Sequence, residues 1–430
     1  MQYENVAVVT MGCPKNEVVS RGIQEQLLKY GLTVCEEPDN CDLILVNTCG
    51  FIEPAKEESI NILLELAKLK ENGKCVKIFA VGCLVQRYRQ ELSDALPEID
   101  GFISLEEVAD LPKLLGIDNA TVGTSKDRHL PATKPWAYLQ ISEGCSRRCS
   151  FCVIPMIKGP YRSRHPEEII REAEILVANG ARELIIVGQD TGAYGSDLKV
   201  STNLSQLVNG LSRIKDLLWL RLMYLYPDYL QPELIEVFRD NPKLCNYLDI
   251  PLQHASKKLL TSMRRSGSAE DYLAKLQRLA RVVPDIAIRS EFIVGYPGES
   301  GDDFKELSDF VKELSPDYLG LFKYSSESGT KASELPNRVS KSLMNKRYHK
   351  LRSLADEIGI DKKKVLIGAV RNVLIERVLN TTVYEGRLAC QAPEIDGDVT
   401  LRSEKPLKVG ALAEVVITAS NGYDLEAEII

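Results

Sequence analysis

Three times in the first part of the chain, an apolar run of strand length empties into a loop that carries a cysteine. Val6-Ala7-Val8-Val9-Thr10 is followed by Met11-Gly12-Cys13, Leu43-Ile44-Leu45-Val46-Asn47-Thr48 by Cys49, and Val76-Lys77-Ile78-Phe79-Ala80-Val81-Gly82 by Cys83. Helical patterns separate the runs. Strands that alternate with helices pair in parallel, so their carboxyl ends share one edge of a sheet. That edge is where open α/β folds bind ligands. The pattern therefore brings together three thiols that are far apart in sequence. Cys41 and Cys75 precede their strands and belong to the opposite edge, while Cys35 stands just ahead of Glu36-Glu37-Pro38; these three read as structural thiols, which bury readily.

At 430 residues the chain exceeds the size at which a single core keeps growing, and two or three domains are expected. A composition of 44% hydrophobic and 27% charged residues excludes extended disorder. Met1 to Asn5 leads straight into the first strand with no basic or apolar leader, and no run reaches the ~18 apolar residues of a membrane span, so a cytoplasmic protein without membrane contact is expected. Eleven cysteines in such a chain point to reduced thiols and ligands rather than disulfides. The net charge of −7 gives no general electrostatic footprint for nucleic acid.

A second thiol group is contiguous: Glu143-Gly144-Cys145-Ser146-Arg147-Arg148-Cys149-Ser150-Phe151-Cys152, at CxxxCxxC spacing. Three such thiols can close on one face of a metal cluster and leave a fourth metal position without a protein ligand. A structural zinc site normally takes four protein ligands, short cysteine spacings also hold iron-sulfur clusters, and unliganded core thiols usually sit singly in apolar segments. This loop is polar and carries two arginines, so its thiols read as ligands.

Residues 126 to 135 form a polar connection with Pro131 and Pro135, a domain boundary. From Trp136 to about Arg347 six strand candidates alternate with helices: Ala137-Tyr138-Leu139-Gln140-Ile141, Leu184-Ile185-Ile186-Val187, Trp219-Leu220-Arg221-Leu222, Tyr247-Leu248-Asp249-Ile250, Ile286-Ala287-Ile288-Arg289 and Tyr318-Leu319-Gly320-Leu321-Phe322. Six units without signals for two more predict an open parallel barrel rather than a closed eightfold one. The CxxxCxxC loop follows the first strand at the carboxyl edge. Gly188-Gln189-Asp190-Thr191-Gly192 follows the second, Pro251-Leu252-Gln253-His254-Ala255-Ser256 the fourth, and Phe292 to Glu299 the fifth. Alone, the glycine clusters read as turns, and His254 reads either as a hydrogen-bonding residue or as an acid or base.

From about Ala369 the texture changes to short strands: Val373-Leu374-Ile375, Val383-Tyr384, Arg387-Leu388-Ala389-Cys390, Val399-Thr400-Leu401 and Glu414-Val415-Val416-Ile417-Thr418. This predicts a small antiparallel β-barrel, with Cys390 in its core and Cys245 in that of the preceding domain. Leu366 to Ile430 carry six basic and ten acidic residues, a net of −4. Such a barrel suits a basic protein better than a phosphate backbone.

The CxxxCxxC loop with Phe151 directly before its last cysteine resembles the signature of the radical S-adenosylmethionine (SAM) enzymes, and the longer string to Arg164 resembles the methylthiotransferases within them. Met11-Gly12-Cys13-Pro14-Lys15-Asn16, Asn47-Thr48-Cys49-Gly50-Phe51-Ile52 and Val81-Gly82-Cys83 resemble that family's amino-terminal cluster segments, and the end of the chain resembles its TRAM domain. The resemblance implies three parts: an open parallel α/β cluster domain over 1–125, a partial (βα)6 radical SAM barrel over 131–360, and a TRAM barrel over 366–430. It implies two [4Fe-4S] clusters, one on Cys13, Cys49 and Cys83 and one on Cys145, Cys149 and Cys152, each with one iron left open and both open irons facing one cavity. S-adenosyl-L-methionine is expected at the second cluster beside Phe151, its amino group against Gln189 and Asp190, which stand where the family usually has Gly-Gly-Glu, and its ribose near Gln253. No catalytic acid or base is assigned.

Resemblance also implies the reaction. A reduced cluster cleaves SAM to a hydrogen-abstracting radical, a reducing electron donor supplies the electron, and the first cluster hands over a methylthio group. The strings MGCPKN, NTCGFIEPAKEES, GPYRSR and PLQHAS resemble the branch that modifies the β-carbon of an aspartate in ribosomal protein S-twelve, free or on the ribosome, with no direct nucleic-acid substrate. Three alternatives stay open at this point: a tRNA adenosine methylthiotransferase, a sulfur-insertion enzyme without methyl transfer, and a non-enzymatic iron-sulfur scaffold.

Overall fold

A computed structural model describes residues 3–72, 75–117 and 133–430. Most of the connection expected over 126–135 lies outside the described residues. By contact the chain divides into two units. One holds the described residues up to 117 together with Gly144–Ser146 and Val153–Pro160, and the other holds the rest.

The first unit is built on β1 (Asn5–Thr10), α1 (Pro14–Lys29), β2 (Thr33–Cys35), β3 (Leu43–Thr48), α2 (Glu53–Ala67), α3 (Leu69–Asn72), β4 (Lys77–Gly82), α4 (Cys83–Ala95), β5 (Gly101–Ile103) and α5 (Leu111–Leu114). Its five strands are parallel in the order β2-β1-β3-β4-β5. The central strand β3 is buried at every position, as a strand covered on both faces must be. Alternation sends Ile44 and Val46 into one core layer and Leu43 and Leu45 into the other. Both α1 and α2 open with proline in the first turn, where a missing N–H costs nothing. Cys35 closes the short strand β2 and packs beside the buried Cys41 and Cys75 in one apolar layer.

In the second unit, β6 (Trp136–Gln140) leads to a two-residue hairpin of β7 (Ser142–Glu143) with β8 (Arg162–Ser163). Between the hairpin strands lie the cysteine loop and α6 (Ile154–Lys158), the latter belonging to the first unit. Then follow α7 (Pro166–Ala178), β9 (Glu183–Val187), α8 (Leu204–Leu211), β10 (Trp219–Leu222), α9 (Pro232–Asp240), β11 (Leu244–Asp249), α10 (Lys257–Ser262), α11 (Ala269–Val282), β12 (Ala287–Val294), α12 (Gly301–Leu314), β13 (Tyr318–Lys323) and α13 (Lys341–Val365). The six long strands form one open parallel sheet, β13-β12-β11-β10-β9-β6, as the sixfold count predicts. One boundary differs from expectation. Phe292 to Val294 continue β12 rather than opening its exit loop, because Phe292 and Val294 bury on the core side; the loop starts at Gly295.

The chain ends in a closed barrel of β14 (Val370–Val378), β15 (Val383–Leu388), β16 (Val399–Arg402), β17 (Leu412–Asn421) and β18 (Asp424–Ile429). Val383-Tyr384 and Arg387-Leu388, read as two strands, are one, and Cys390 lies past its end, half-buried against the core. The closing pair β16 and β18 runs parallel while the other four pairings are antiparallel. A buried ion network joins this barrel to the floor of the parallel sheet. Glu183 of β9 receives Arg221 of β10 at 2.6 Å and Arg387 of β15 at 2.6 Å, and Arg387 also meets Glu376. Beside it, Tyr247 donates to Asp396 at 2.6 Å.

Candidate iron-sulfur and cofactor site

In the first unit, Thr10 stands opposite Asn47 and Thr48 opposite Gly82, so β1, β3 and β4 end level. Cys13, Cys49 and Cys83 leave these three adjacent strands at one edge, as their sequence positions predict. Their loops interlock. Gly12 has a φ of +89°, and a Cβ there would stand 2.6 Å from the Cys49 Cβ; one at Gly50 would stand 2.6 Å from the Leu84 Cα. Only glycine allows these approaches.

Asn16, three residues past Cys13, ties all three loops together. Its buried amide donates to the Met11 carbonyl at 2.7 Å and the Thr48 carbonyl at 3.3 Å, and its Oδ1 accepts from the Cys83 thiol at 3.7 Å. Ser59 brackets Cys49 from α2, accepting from its N–H and donating to its carbonyl. Burial pushes the Cys49 thiol up, and Cys13 close by adds to the rise. Within the same unit, Val153 and Ile157 of the α6 segment pack on Cys83, and the Cys145 N–H donates to the carbonyl of Gly159 at the end of α6. A single short helix thus bridges Cys83 and Cys145.

Cys145, Cys149 and Cys152 are half-buried. The loop is clamped by its backbone: Ser150 donates to the Met263 carbonyl and accepts from the Ala332 N–H, and Cys152 donates to Cys149. Phe151 packs with Leu259, Met263, Ile293 and Tyr296, so its ring seats the loop in the core of the second unit.

Arg147 reaches from the loop to Asp190, its Nε donating to Oδ2 at 2.6 Å; its guanidinium lies 3.2 Å from the centre of the Tyr226 ring and 3.7 Å from Asp228. Burial pushes the Asp190 carboxyl up, against the pull of Arg147. The other oxygen of Asp190 and the Gln189 Oε1 are buried acceptors without a donor. Two such acceptors on adjacent residues fit a ligand that donates N–H bonds, as the SAM amino group does.

Gln253 has a φ of +74°, held by its N–H on the Glu291 carbonyl and its carbonyl on the Ile293 N–H. Tyr224 and Arg264 are also left-handed, and all three lie beyond the carboxyl ends of β10 and β11. At the other end of the strands the left-handed residues before β10, β12 and β13 are Asp216, Asp285 and Ser315, two of them a type that adopts the conformation readily. Backbone strain on bulky residues is thus concentrated on the functional edge. His254 is fully buried; its Nδ1 accepts from the Ser256 N–H, and its Nε2 lies 3.7 Å from Glu299, which also takes Arg347 and the Gly295 N–H. The Nδ1 bond fits the hydrogen-bonding reading within the loop after β11, while Nε2 makes no hydrogen bond among the described residues.

The radical SAM superfamily matches residues 139–311, an uncharacterized protein family, UPF0004, matches residues 5–104, and the TRAM domain matches residues 367–430. Among solved structures the chain is similar to the radical SAM methyltransferase TsrM from Kitasatospora setae with tryptophan substrate and a SAM analog bound, at 14% identity, 83% and 89% coverage of the two chains and a TM-score of 0.57. It is also similar to the cobalamin-dependent SAM radical enzyme OxsB, at 12% identity, 82% of this chain and 56% of that one, TM-score 0.51. At such identities the likeness is one of fold. Fold and site define a radical SAM enzyme.

Curated proteins narrow this. The chain is 40% identical to the ribosomal protein uS12 methylthiotransferase RimO of Trichlorobacter lovleyi over 99% of its length and 98% of that protein, and 40% identical to RimO of Thermodesulfovibrio yellowstonii over 99% and 100%. It belongs to the RimO family and is a radical SAM methylthiotransferase. No described helix is long and apolar enough to cross a membrane.

Asn16 and Arg147 were not legible as site residues, and although Asp190 was expected at the cofactor, its pairing with Arg147 was not. Asn16 offered one signal, a polar side chain one helical turn past a strand-end cysteine. Arg147 offered its place between Cys145 and Cys149.

Proposed function

We propose that the chain methylthiolates the β-carbon of an aspartate in uS12, the S-twelve protein, and that it does so with two four-iron clusters. Cys13, Cys49 and Cys83 hold the first and Cys145, Cys149 and Cys152 the second, each leaving one iron without a protein ligand. The observation that carries this reading is the pair of thiol triads, each at the carboxyl edge of a parallel sheet and each a cysteine short of the four ligands of a closed cluster. Clusters and SAM, when bound, supply the radical, the sulfur and the methyl group, which protein acids and bases cannot.

The chain's own residues position and exclude. Gln189 and Asp190 accept from the SAM amino group, Arg147 orients Asp190 and pins the cysteine loop, Phe151 seats that loop, and the strained Gln253 lies beside the ribose. Asn16 and Ser59 order the first triad. The segments 1–125, 131–360 and 366–430 act as cluster, barrel and TRAM domains, the last with a charge of −4 that suits a basic ribosomal protein in the cytoplasm, on or off the ribosome. A reducing protein supplies the electron.

The reading is tested by incubating anaerobically reconstituted protein with SAM, a reductant and either uS12 or a tRNA anticodon stem. Mass spectrometry should find a methylthio group in place of one hydrogen on a uS12 aspartate. Turnover of the tRNA stem alone would replace the proposal with adenosine methylthiolation, and a thiol without its methyl would make the chain a sulfur-insertion enzyme.

A further inference from the structure

Four arginines among the described residues are at least nine-tenths buried: Arg221, Arg265, Arg347 and Arg387. Three hold a carboxylate at 2.6 Å, Arg221 and Arg387 on Glu183 and Arg347 on Glu299. Arg265 has no ion pair with a described carboxylate. Its Nη2 donates to the Pro251 carbonyl, its guanidinium lies 4.0 Å from the centre of the Tyr226 ring, and its buried Nε has no acceptor. The Tyr272 hydroxyl, which it also approaches, is committed to the Ser266 carbonyl. A ring face and one carbonyl offset only part of what a desolvated guanidinium loses in water.

The position of this cation is informative. Pro251 lies just past β11 and Tyr226 just past β10, and the charge of Arg265 reaches Asp190, just past β9. Arg147 stands over the same Tyr226 ring but is committed to Asp190 and Asp228. Among the described residues Arg265 is therefore the buried arginine of the functional edge that makes no ion pair with a carboxylate. A guanidinium edge matches the two oxygens of a carboxylate, with charge-assisted bonds stronger than those to a neutral amide.

We propose that Arg265 binds a ligand carboxylate at this edge, and that the chemistry of the reaction favours the side-chain carboxylate of the target aspartate, whose β-carbon lies directly beside it. Held there, the carboxylate fixes rotation about the aspartate side chain, so that one β-hydrogen is presented, and it separates aspartate from asparagine. The inference rests on the uS12 reading above, and SAM, which carries a carboxylate of its own, is the second source.

The test uses full-length, cluster-loaded wild type, Arg265→Gln and Arg265→Lys, with iron content and circular dichroism confirming that each is folded and loaded. Fluorescence anisotropy measures binding of a uS12 loop peptide and of the same peptide with asparagine at the target. Equilibrium dialysis measures SAM against decarboxylated SAM. Wild type should prefer the aspartate peptide by about tenfold or more, Arg265→Gln should bring the ratio near one, and Arg265→Lys should keep part of it. If instead the SAM ratio collapses and the peptide ratio stays, Arg265 binds a carboxylate but the cofactor's. Both ratios unchanged in folded Arg265→Gln overturns the proposal. If wild type neither binds the peptide nor modifies uS12, the functional reading fails by itself, and the SAM ratio still decides the role of Arg265.

Discussion

The two proposed thiol triads reach three cysteines each by opposite routes. Cys145, Cys149 and Cys152 are contiguous in one short loop, which backbone bonds of Ser150 to the distant Met263 and Ala332 clamp. Cys13, Cys49 and Cys83 come from three strand ends and share one sheet edge only because β1, β3 and β4 pair in register. The first arrangement needs a clamp around a loop, whereas the second needs an entire sheet and the polar bolt of Asn16 behind it. The lesson is that a dispersed site depends on its fold to assemble at all, while a contiguous one depends on it only for the clamp that holds the loop.

The largest effect should come from removing either triad. Replacing Cys145, Cys149 and Cys152 by alanine should abolish reductive SAM cleavage, measured as 5′-deoxyadenosine, together with methylthiolation. The corresponding change of Cys13, Cys49 and Cys83 should leave SAM cleavage in place while methylthiolation falls below detection. Loss of SAM cleavage in both would mean that the triads are not separable sites.

Next in size is the ion network under the barrel. Arg387→Met leaves Glu183 with one cation and Glu376 with none, which should cost about 3–5 kcal/mol and lower the midpoint of thermal unfolding, while iron content at low temperature stays unchanged. Asn16→Ala should act in the reverse sense. It strands the Met11 and Thr48 carbonyls, worth about 1–3 kcal/mol locally, and should lower iron in the sheet triad while leaving SAM cleavage by the loop triad intact. Equal loss from both triads would remove the distinction drawn above.

The smallest effect is a control on folding stability. Asp303 completes a capping box with Ser300 at the start of α12. Burial would raise its carboxyl, but the Lys258 ammonium and the Ser300 and Ser256 hydroxyls outweigh burial and hold it well below the usual range. A depressed carboxyl contributes stability above its unfolded value and loses it as pH falls. Asp303→Asn should therefore cost about 1 kcal/mol near neutral pH, and the gap to wild type should close below about pH 4, as denaturant titrations at several pH values would reveal.

Much of the sheet that carries the dispersed triad was legible, because β3 and the core of β1 and β4 are long apolar runs. The edge strands β2 and β5 were not, since three residues give no period to read. All six barrel strands could be counted, yet Glu291 within β12 broke the apolar pattern and made Phe292 look like the start of a loop. The thiols announced themselves through spacing and strand ends, whereas their supports did not. Arg387 and Glu183 are 204 residues apart, and no local pattern marks a charge that will be buried against a distant partner. No local pattern marks Arg265 either.

The most direct measurement of the central claim is iron and sulfide quantification on anaerobically reconstituted protein, with Mössbauer spectra to type the clusters. Wild type should hold about eight irons per chain, and each triple cysteine variant about four, all as four-iron clusters. A wild type that saturates at about four irons, or a single triple variant that loses all its iron, would contradict two independent triads.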